Sequence, residues 1–104
     1  RGHIRVFDVN SDGTLSGGDV WAVLTGNGPW VPDGMKTTTT DHILCNGPGG
    51  VHVFTPDAQC LGVILMPQKS TNFCFGGPDM SSLFITASTS VYRIETTLVG
   101  LPMF

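Results

Sequence analysis

An all-β fold is predicted by three features of this 104-residue sequence. Its 14 glycines and 7 prolines are spread along the whole chain, and these residues interrupt helices and mark turns. No segment keeps the 3.6-residue apolar period of an amphipathic helix. Short runs rich in Val, Ile, Phe and Thr lie between the turn signals instead, as expected for strands.

Strand-like segments follow one another along the chain. The first, HIRVFD (3–8), alternates apolar and polar side chains, as a half-buried strand does. The segments that follow it are VWAVL (20–24), PDGMKT (32–37), ILCNGPGG (43–50), VHVFTPD (51–57), LGVIL (61–65), TNFCFGG (71–77), LFITASTS (83–90) and VYRIE (91–95).

These segments recur with a period. Ile43 to Leu83 and Val51 to Val91 are both steps of 40 residues. Four strands in a repeat of this length are typical of a β-propeller blade. An unrelated β-sandwich is the alternative, because its turn signals also recur at short, even intervals.

The repeat divides the chain into about two and a half four-stranded blades. Residues 1–30 are predicted to end one blade, 31–70 to form a complete blade, and 71–104 to form most of the last one. A propeller needs about four to eight blades to close. We therefore interpret the chain as the C-terminal part of a larger propeller. Alone it is expected to be marginally stable, with exposed sheet edges and apolar patches.

Charge and composition argue against several classes of function. The net charge is −3, and the five Lys and Arg are scattered, so no basic patch suggests a nucleic-acid partner. No apolar run approaches the roughly 20 residues of a membrane span. Cys45, Cys60 and Cys74 are odd in number and show no CxxC spacing, so we expect three reduced, partly buried thiols. A reducing, cytoplasmic compartment is slightly favoured on that basis.

The segment DVNSDGTLSGGD (8–19) looks like an EF-hand calcium loop, since Asp8, Asn10 and Asp12 alternate and Gly13 follows. An EF-hand needs a helix on each side, and the flanking segments here have strand patterns. A dockerin module is a second alternative, but dockerins carry the loop twice. Because this hairpin is six residues longer than its counterpart, we interpret the segment as a long hairpin turn.

A more promising site residue lies in VPDGMKT (31–37). Asp33 begins the innermost strand of the complete blade, which would run beside the central channel. Asn72 occupies nearly the same place in the next blade, 39 residues later. Carboxylate and amide oxygens that converge there suit a hard divalent cation. The alternative for Asp33 is a turn residue before Gly34.

Five motifs in order, VPDGMKT, NGPGGVHVFTPD, LGVI, TNFCFGGPD and LFITASTSVYRIE, resemble the C-terminal third of the senescence-marker-protein/gluconolactonase (regucalcin-like) family. The resemblance covers nearly the whole chain. It implies a six-bladed β-propeller whose members hydrolyse lactones, notably sugar lactones, with one divalent metal in the channel. A non-catalytic propeller or calcium-binding module is the alternative function.

The resemblance also implies roles for individual residues. Asp33 matches the Asp of the family's PDGM motif, a metal ligand that is also proposed as the general base. Coordination lowers the basicity of a carboxylate, so the ligand role is favoured. Asn72 falls in a channel-facing stretch. Lys36 stands where related phosphotriesterase-type propellers place an acid for a second calcium, so one cation is expected: calcium, zinc, magnesium or manganese.

The family's other ligands, a Glu and an Asn, and its substrate-holding Arg and Asn have no counterpart in these residues. We therefore expect the 104 residues alone to be inactive. The expected partner of the full-length protein is a small-molecule lactone, and its oligomeric state is left open.

Three further side chains carry expectations of their own. His52 alternates with two valines and is predicted to face solvent or the neighbouring blade. Trp21 and Trp30 are predicted to pack between blades. Cys74 lies on an inner strand and could line the channel.

Overall fold

The computed structural model describes residues 3–25 and 33–101. Within these ranges the chain is all-β, as predicted. Its strands are β1 (His3–Val9), β2 (Leu15–Val23), β3 (Met35–Thr37), β4 (Ile43–Gly47), β5 (Gly50–Phe54), β6 (Cys60–Leu65), β7 (Ser70–Gly76), β8 (Ser82–Ala87) and β9 (Ser90–Glu95). In the same ranges, no helix is long and apolar enough to span a membrane.

The strands form three antiparallel sheets in which every strand pairs with its neighbours in sequence. The first sheet is β1-β2, the second β3-β4-β5-β6 and the third β7-β8-β9. A meander of four antiparallel strands is the unit of a propeller blade. The predicted lead-in to Asp33, residues 26–32 with Trp30, lies outside the described residues.

The second sheet is packed between the other two. On one face, Leu44 and Val51 form a buried cluster with residues of the third sheet, among them Phe73 and Leu83. On the other face, Cys45 and Phe54 pack against Ala22 and Leu24. Ala22 is in β2, and Leu24 directly follows that strand. Trp21 also packs here, with its ring edge to face on Phe54 at a centroid distance of 5.7 Å. Trp21 thus packs between adjacent sheets, as predicted.

His52 faces the neighbouring first sheet, one of the two placements predicted for it, on the same face of β5 as Phe54. Its side chain is 1% exposed, and Nε2 donates to the carbonyl oxygen of Pro48 at 2.8 Å. Alternation along β5 separates the face with Val51 from the face with His52 and Phe54, and the first sheet excludes solvent from the latter. Here β5 has a neighbouring sheet on each side, so polar and apolar positions are both covered.

The first hairpin also differs from its prediction. Pairing extends out to Val9 and Leu15, so the turn comprises only residues 10–14, the same length as the turn 55–59 between β5 and β6. The extra residues lie within the paired strands, where the register shifts twice. Gly17 and Gly18 have φ of 86° and 97°, a conformation that glycine adopts at β-bulges.

The C-terminal part of the described chain returns to the second sheet. Gly100 bridges Thr38 in antiparallel fashion, and the Thr39 amide donates to the Val99 carbonyl at 2.8 Å. A side chain at Gly100 would overlap the ring of Phe75. This segment therefore covers the C-terminal end of β3, the end opposite to Asp33.

The cysteines are free thiols, of which Cys45 is buried. Cys60 and Cys74 are exposed, contrary to the expectation that all three would be partly buried. Cys60 begins β6 and Cys74 lies on the face of β7 that no described sheet covers.

Candidate functional site

Asp33 lies two residues before β3 and is exposed. The antiparallel pairing of β3 with β4 continues up to its neighbour Gly34, whose carbonyl accepts from the Asn46 amide at 3.0 Å. Among the described residues, no side chain forms a hydrogen bond or ion pair with the carboxylate of Asp33.

Gly34 is required by a close approach of two asparagines. A Cβ built at this position would lie 2.5 Å from Asn72 Oδ1 and 2.8 Å from Asn46 Oδ1. Real Cβ atoms do not come this close to other heavy atoms, so only glycine fits without displacing its neighbours. The same contact places Asn72 beside the backbone that carries Asp33.

The pairing registers place Asn72 at the position in the third sheet that is equivalent to Gly34 in the second sheet. Asp33 is one residue away from that position. Gly34 lies opposite Asn46, and Asn72 lies opposite Thr86, which is 40 residues after Asn46. Asn72 Oδ1 also accepts from the Phe73 amide at 2.9 Å. The structure therefore brings the two predicted site residues into the same region through the packing of β7 against β3.

Asn46 is a polar residue of this site that the sequence interpretation missed. Its side chain is 1% exposed, Oδ1 accepts from the Gly34 amide at 3.0 Å, and Nδ2 donates to Ser70 Oγ at 2.8 Å. Ser70, at the start of β7, is 3% exposed. In the sequence Asn46 precedes Gly-Pro-Gly-Gly and has the appearance of a turn residue. No local signal reveals a bond to a residue 24 positions away.

A cavity of about 460 Å³ adjoins Asn72 and is also lined by Lys36, Cys74, Phe84 and Thr86. The cavity is widely open to solvent, and Asp33 does not line it. Its lining combines aromatic carbon with an ammonium, an amide and a hydroxyl, which can hydrogen-bond a polar ligand.

Cys45 is a buried thiol whose pKa is affected by the charge of Asp33. Burial, and secondarily the negative charge of Asp33, raise the pKa of the Cys45 thiol from 9.0 to about 11. The thiol is therefore neutral at physiological pH and is unsuited to act as a nucleophile or a metal ligand there.

The calcium-like segment is part of the β1-β2 hairpin. Asp8 and Asp19 lie within β1 and β2, and Asp12 accepts from the hydroxyl and the amide of Thr14 at 2.6 and 2.9 Å. These hydrogen bonds lower the pKa of the Asp12 carboxyl. Across residues 3–25 and 33–101, no group of three or more His, Cys, Asp or Glu side chains could hold a metal ion.

A family profile described as the SMP-30/Gluconolactonase/LRE-like region matches residues 1–89 of this chain. The chain belongs to this family. The resemblance seen in the five sequence motifs is thereby confirmed.

Curated relatives of this family member include lactonases. A gluconolactonase from Zymomonas mobilis subsp. mobilis is 39% identical over 72 residues, covering 67% of this chain and 20% of the relative. Pentonolactonase XacC from Haloferax volcanii is 30% identical over 98 residues, covering 73% of this chain and 34% of the relative. The chain therefore spans between a fifth and about a third of the length of these two proteins.

Solved structures confirm the fold. An X-ray structure provisionally described as a gluconolactonase matches with a TM-score of 0.86 at 34% identity, over 97% of this chain and 34% of that one. A luciferin-regenerating enzyme matches with a TM-score of 0.81 at 17% identity, over 96% of this chain and 40% of that one. Together with the three antiparallel sheets, these matches establish the chain as part of a β-propeller.

Proposed function

We propose that this chain contributes to a hydrolase of sugar lactones in which Asp33 binds one divalent cation. The observation that carries the proposal is the placement of Asp33. Its carboxylate is exposed and has no hydrogen-bond or ion-pair partner among the described residues, two residues before the edge strand β3. The family membership and the two lactonases among its relatives supply the reaction class.

The described residues fit one part of a metal site. Asp33 offers a carboxylate, and the amide oxygen of Asn72 lies beside the same backbone. Both are hard oxygen donors of the kind that calcium, magnesium and manganese prefer. Two such groups do not complete a coordination sphere, so we propose that further ligands come from other blades of a complete propeller. The 104 residues alone are then expected to be inactive.

When bound, a divalent cation at Asp33 would act as a Lewis acid toward the lactone carbonyl. Asp33 would hold that cation with its carboxylate. Asn72, Lys36 and Thr86 line the adjoining cavity and can hydrogen-bond the hydroxyl groups of a sugar lactone.

The proposed function is tested with Asp33→Asn in the natural full-length protein. This change keeps the size of the side chain and removes its charge. We expect kcat/KM for gluconolactone to fall by about 100-fold or more, and the affinity for calcium or manganese to fall with it, because a ligand contributes at least as much as an outer-shell partner. Chelator should abolish the wild-type activity, and added metal should restore it.

Asp57→Asn is the matched control, because Asp57 is an exposed Asp in the turn between β5 and β6. It should leave activity and metal affinity unchanged. Full activity in Asp33→Asn would rule out the assignment of this residue. Metal binding at Asp33 without hydrolysis of any sugar lactone would instead favour the calcium-binding, non-catalytic propeller.

A further inference from the structure

We propose that Asn46 is the positioning residue of the site, holding Asp33 in place through the Asp33–Gly34 peptide. The inference rests on the proposed function, since it concerns the same metal ligand. It starts from the absence of any described side chain that holds the carboxylate of Asp33 by a hydrogen bond or ion pair. The position of such a group depends on its backbone.

Asn46 holds that backbone at two points, once with its side chain and once with its backbone N–H. The side-chain Oδ1 accepts from the Gly34 amide at 3.0 Å, and the Asn46 amide donates to the Gly34 carbonyl at 3.0 Å. The Gly34 amide belongs to the peptide unit that also contains the Asp33 carbonyl. Because a peptide unit is planar, fixing its N–H fixes the orientation of the Asp33 Cα as well.

The second hydrogen bond of Asn46 extends the arrangement to β7. Nδ2 donates to Ser70 Oγ at 2.8 Å, and Asn72 follows two residues later in the same strand. One buried amide therefore links the start of the strand that carries Asn72 to the peptide that carries Asp33. Loss of the amide would free both residues to move relative to each other.

Burial protects the side-chain hydrogen bonds of Asn46 from solvent. Asn46 is 1% exposed and Ser70 is 3% exposed, so water does not compete for these hydrogen bonds. The contacts of Gly34 with Asn46 and Asn72 leave no room for a Cβ, so the peptide has little freedom to shift while both asparagines are in place. A buried Asn that served packing alone would not need to contact the site backbone.

The test uses Asn46→Leu in the natural full-length protein, with manganese as the probe metal. Leu has the same branched skeleton as Asn but makes neither side-chain hydrogen bond, while the backbone bond from residue 46 to the Gly34 carbonyl remains. We expect the affinity for manganese, measured by calorimetry, to fall by about 10- to 100-fold, the range seen when outer-shell partners are removed. With saturating metal, kcat for gluconolactone should fall while KM stays within about twofold, since misplaced groups act mainly on the reacting centre.

Two further variants keep the proposal falsifiable if Asn46→Leu does not fold. Ser70→Ala removes only the bond to β7 and should weaken manganese binding by a few-fold. Asn46→Asp keeps an oxygen acceptor for the Gly34 amide, and Ser70 can donate to it, so it should bind manganese more tightly than Asn46→Leu. Ser82→Ala is the stability control: Ser82 is 3% exposed and donates to Glu95 at 2.8 Å in the third sheet.

Ser82→Ala should lower stability and leave manganese affinity unchanged. If Ser70→Ala binds manganese as the wild type does, and any folded Asn46→Leu does so too, Asn46 is only a structural residue and the inference is overturned. A wild type that neither binds manganese nor hydrolyses lactone, or an Asp33→Asn that does both normally, would contradict the proposed function instead.

Discussion

The thiol of Cys45 is buried close enough to Asp33 for the carboxylate to affect its titration. Its pKa in the folded chain is raised from 9.0 to about 11, chiefly by burial. In the unfolded chain the thiol ionises near pH 9. The folded state therefore keeps its full stability below about pH 9 and loses stability as the pH rises toward 11, because only the unfolded state readily gives up the proton.

We predict that Cys45→Ala reduces this alkaline loss. Between pH 8 and 11 the free energy of unfolding of the wild type should fall by about 2 kcal/mol more than that of the variant, the value of about two pKa units less some relaxation. Urea denaturation across this pH range measures the difference. Cys60→Ala, at an exposed position, should follow the wild-type curve. Parallel curves for wild type and Cys45→Ala would contradict the prediction.

At the scale of single residues, Asp33 and Asn72 could be selected from the sequence, whereas Asn46 could not. Asp33 precedes β3 and Asn72 lies in β7. These are the first strands of two sheets, and the repeat indicates where they fall in the sequence. The role of Asn46 depends on a backbone atom 12 residues before it and a hydroxyl 24 residues after it. Such a role follows from how two sheets pack, which no local pattern encodes.

Glycines in the second sheet show which positions of an element tolerate a side chain. Gly50 begins β5 with a φ of 155°, and a Cβ there would overlap the carbonyl oxygen of Ile64 on β6. Gly62 on β6 has nothing within 4 Å of the place of a Cβ. The two glycines therefore form a matched pair within one blade.

We predict that Gly50→Ala destabilises the fold by more than about 3 kcal/mol, because the overlap is with backbone that cannot move without breaking the β5–β6 pairing. Gly62→Ala should be neutral or stabilise by up to about 1 kcal/mol, since alanine loses less conformational freedom than glycine. Chemical denaturation of both variants decides the matter. Equal stability of Gly50→Ala and Gly62→Ala would show that the β5–β6 contact is not as close as described.

Element bounds were predictable from the sequence to different degrees. The segments for β6 and β7 matched within one residue at each end, because turn residues stand on both sides of each apolar run. The segment for β5 ran three residues too far, to Asp57 instead of Phe54. The start of β2 was placed five residues too late, at Val20 instead of Leu15, because its glycines and polar residues look like a turn. Bulges allow such residues within a paired strand, and only the partner strand reveals them.

At the scale of the whole molecule, the first sheet differs from the others in its apolar exposure. The β1-β2 sheet exposes six large apolar side chains: Val6, Phe7, Val9, Leu15, Val20 and Val23. Val9 and Leu15 are 75% and 60% exposed and lie directly opposite each other in the register. Exposed apolar side chains on a two-stranded sheet favour association with other chains.

We predict that the 104-residue chain self-associates at micromolar concentration and binds the dye ANS. The paired change Val9→Lys with Leu15→Glu places opposite charges across the two strands and leaves the net charge of −3 unaltered, so any effect comes from the lost apolar surface. Sedimentation velocity should show less association and ANS fluorescence should fall. Ser11→Glu with Gln59→Lys, both at exposed polar positions, is the control and should change neither. A wild-type chain that stays monomeric, binds no ANS and melts cooperatively would show that the sheet is stable without a covering partner, because the apolar side chains would then be tolerated in water.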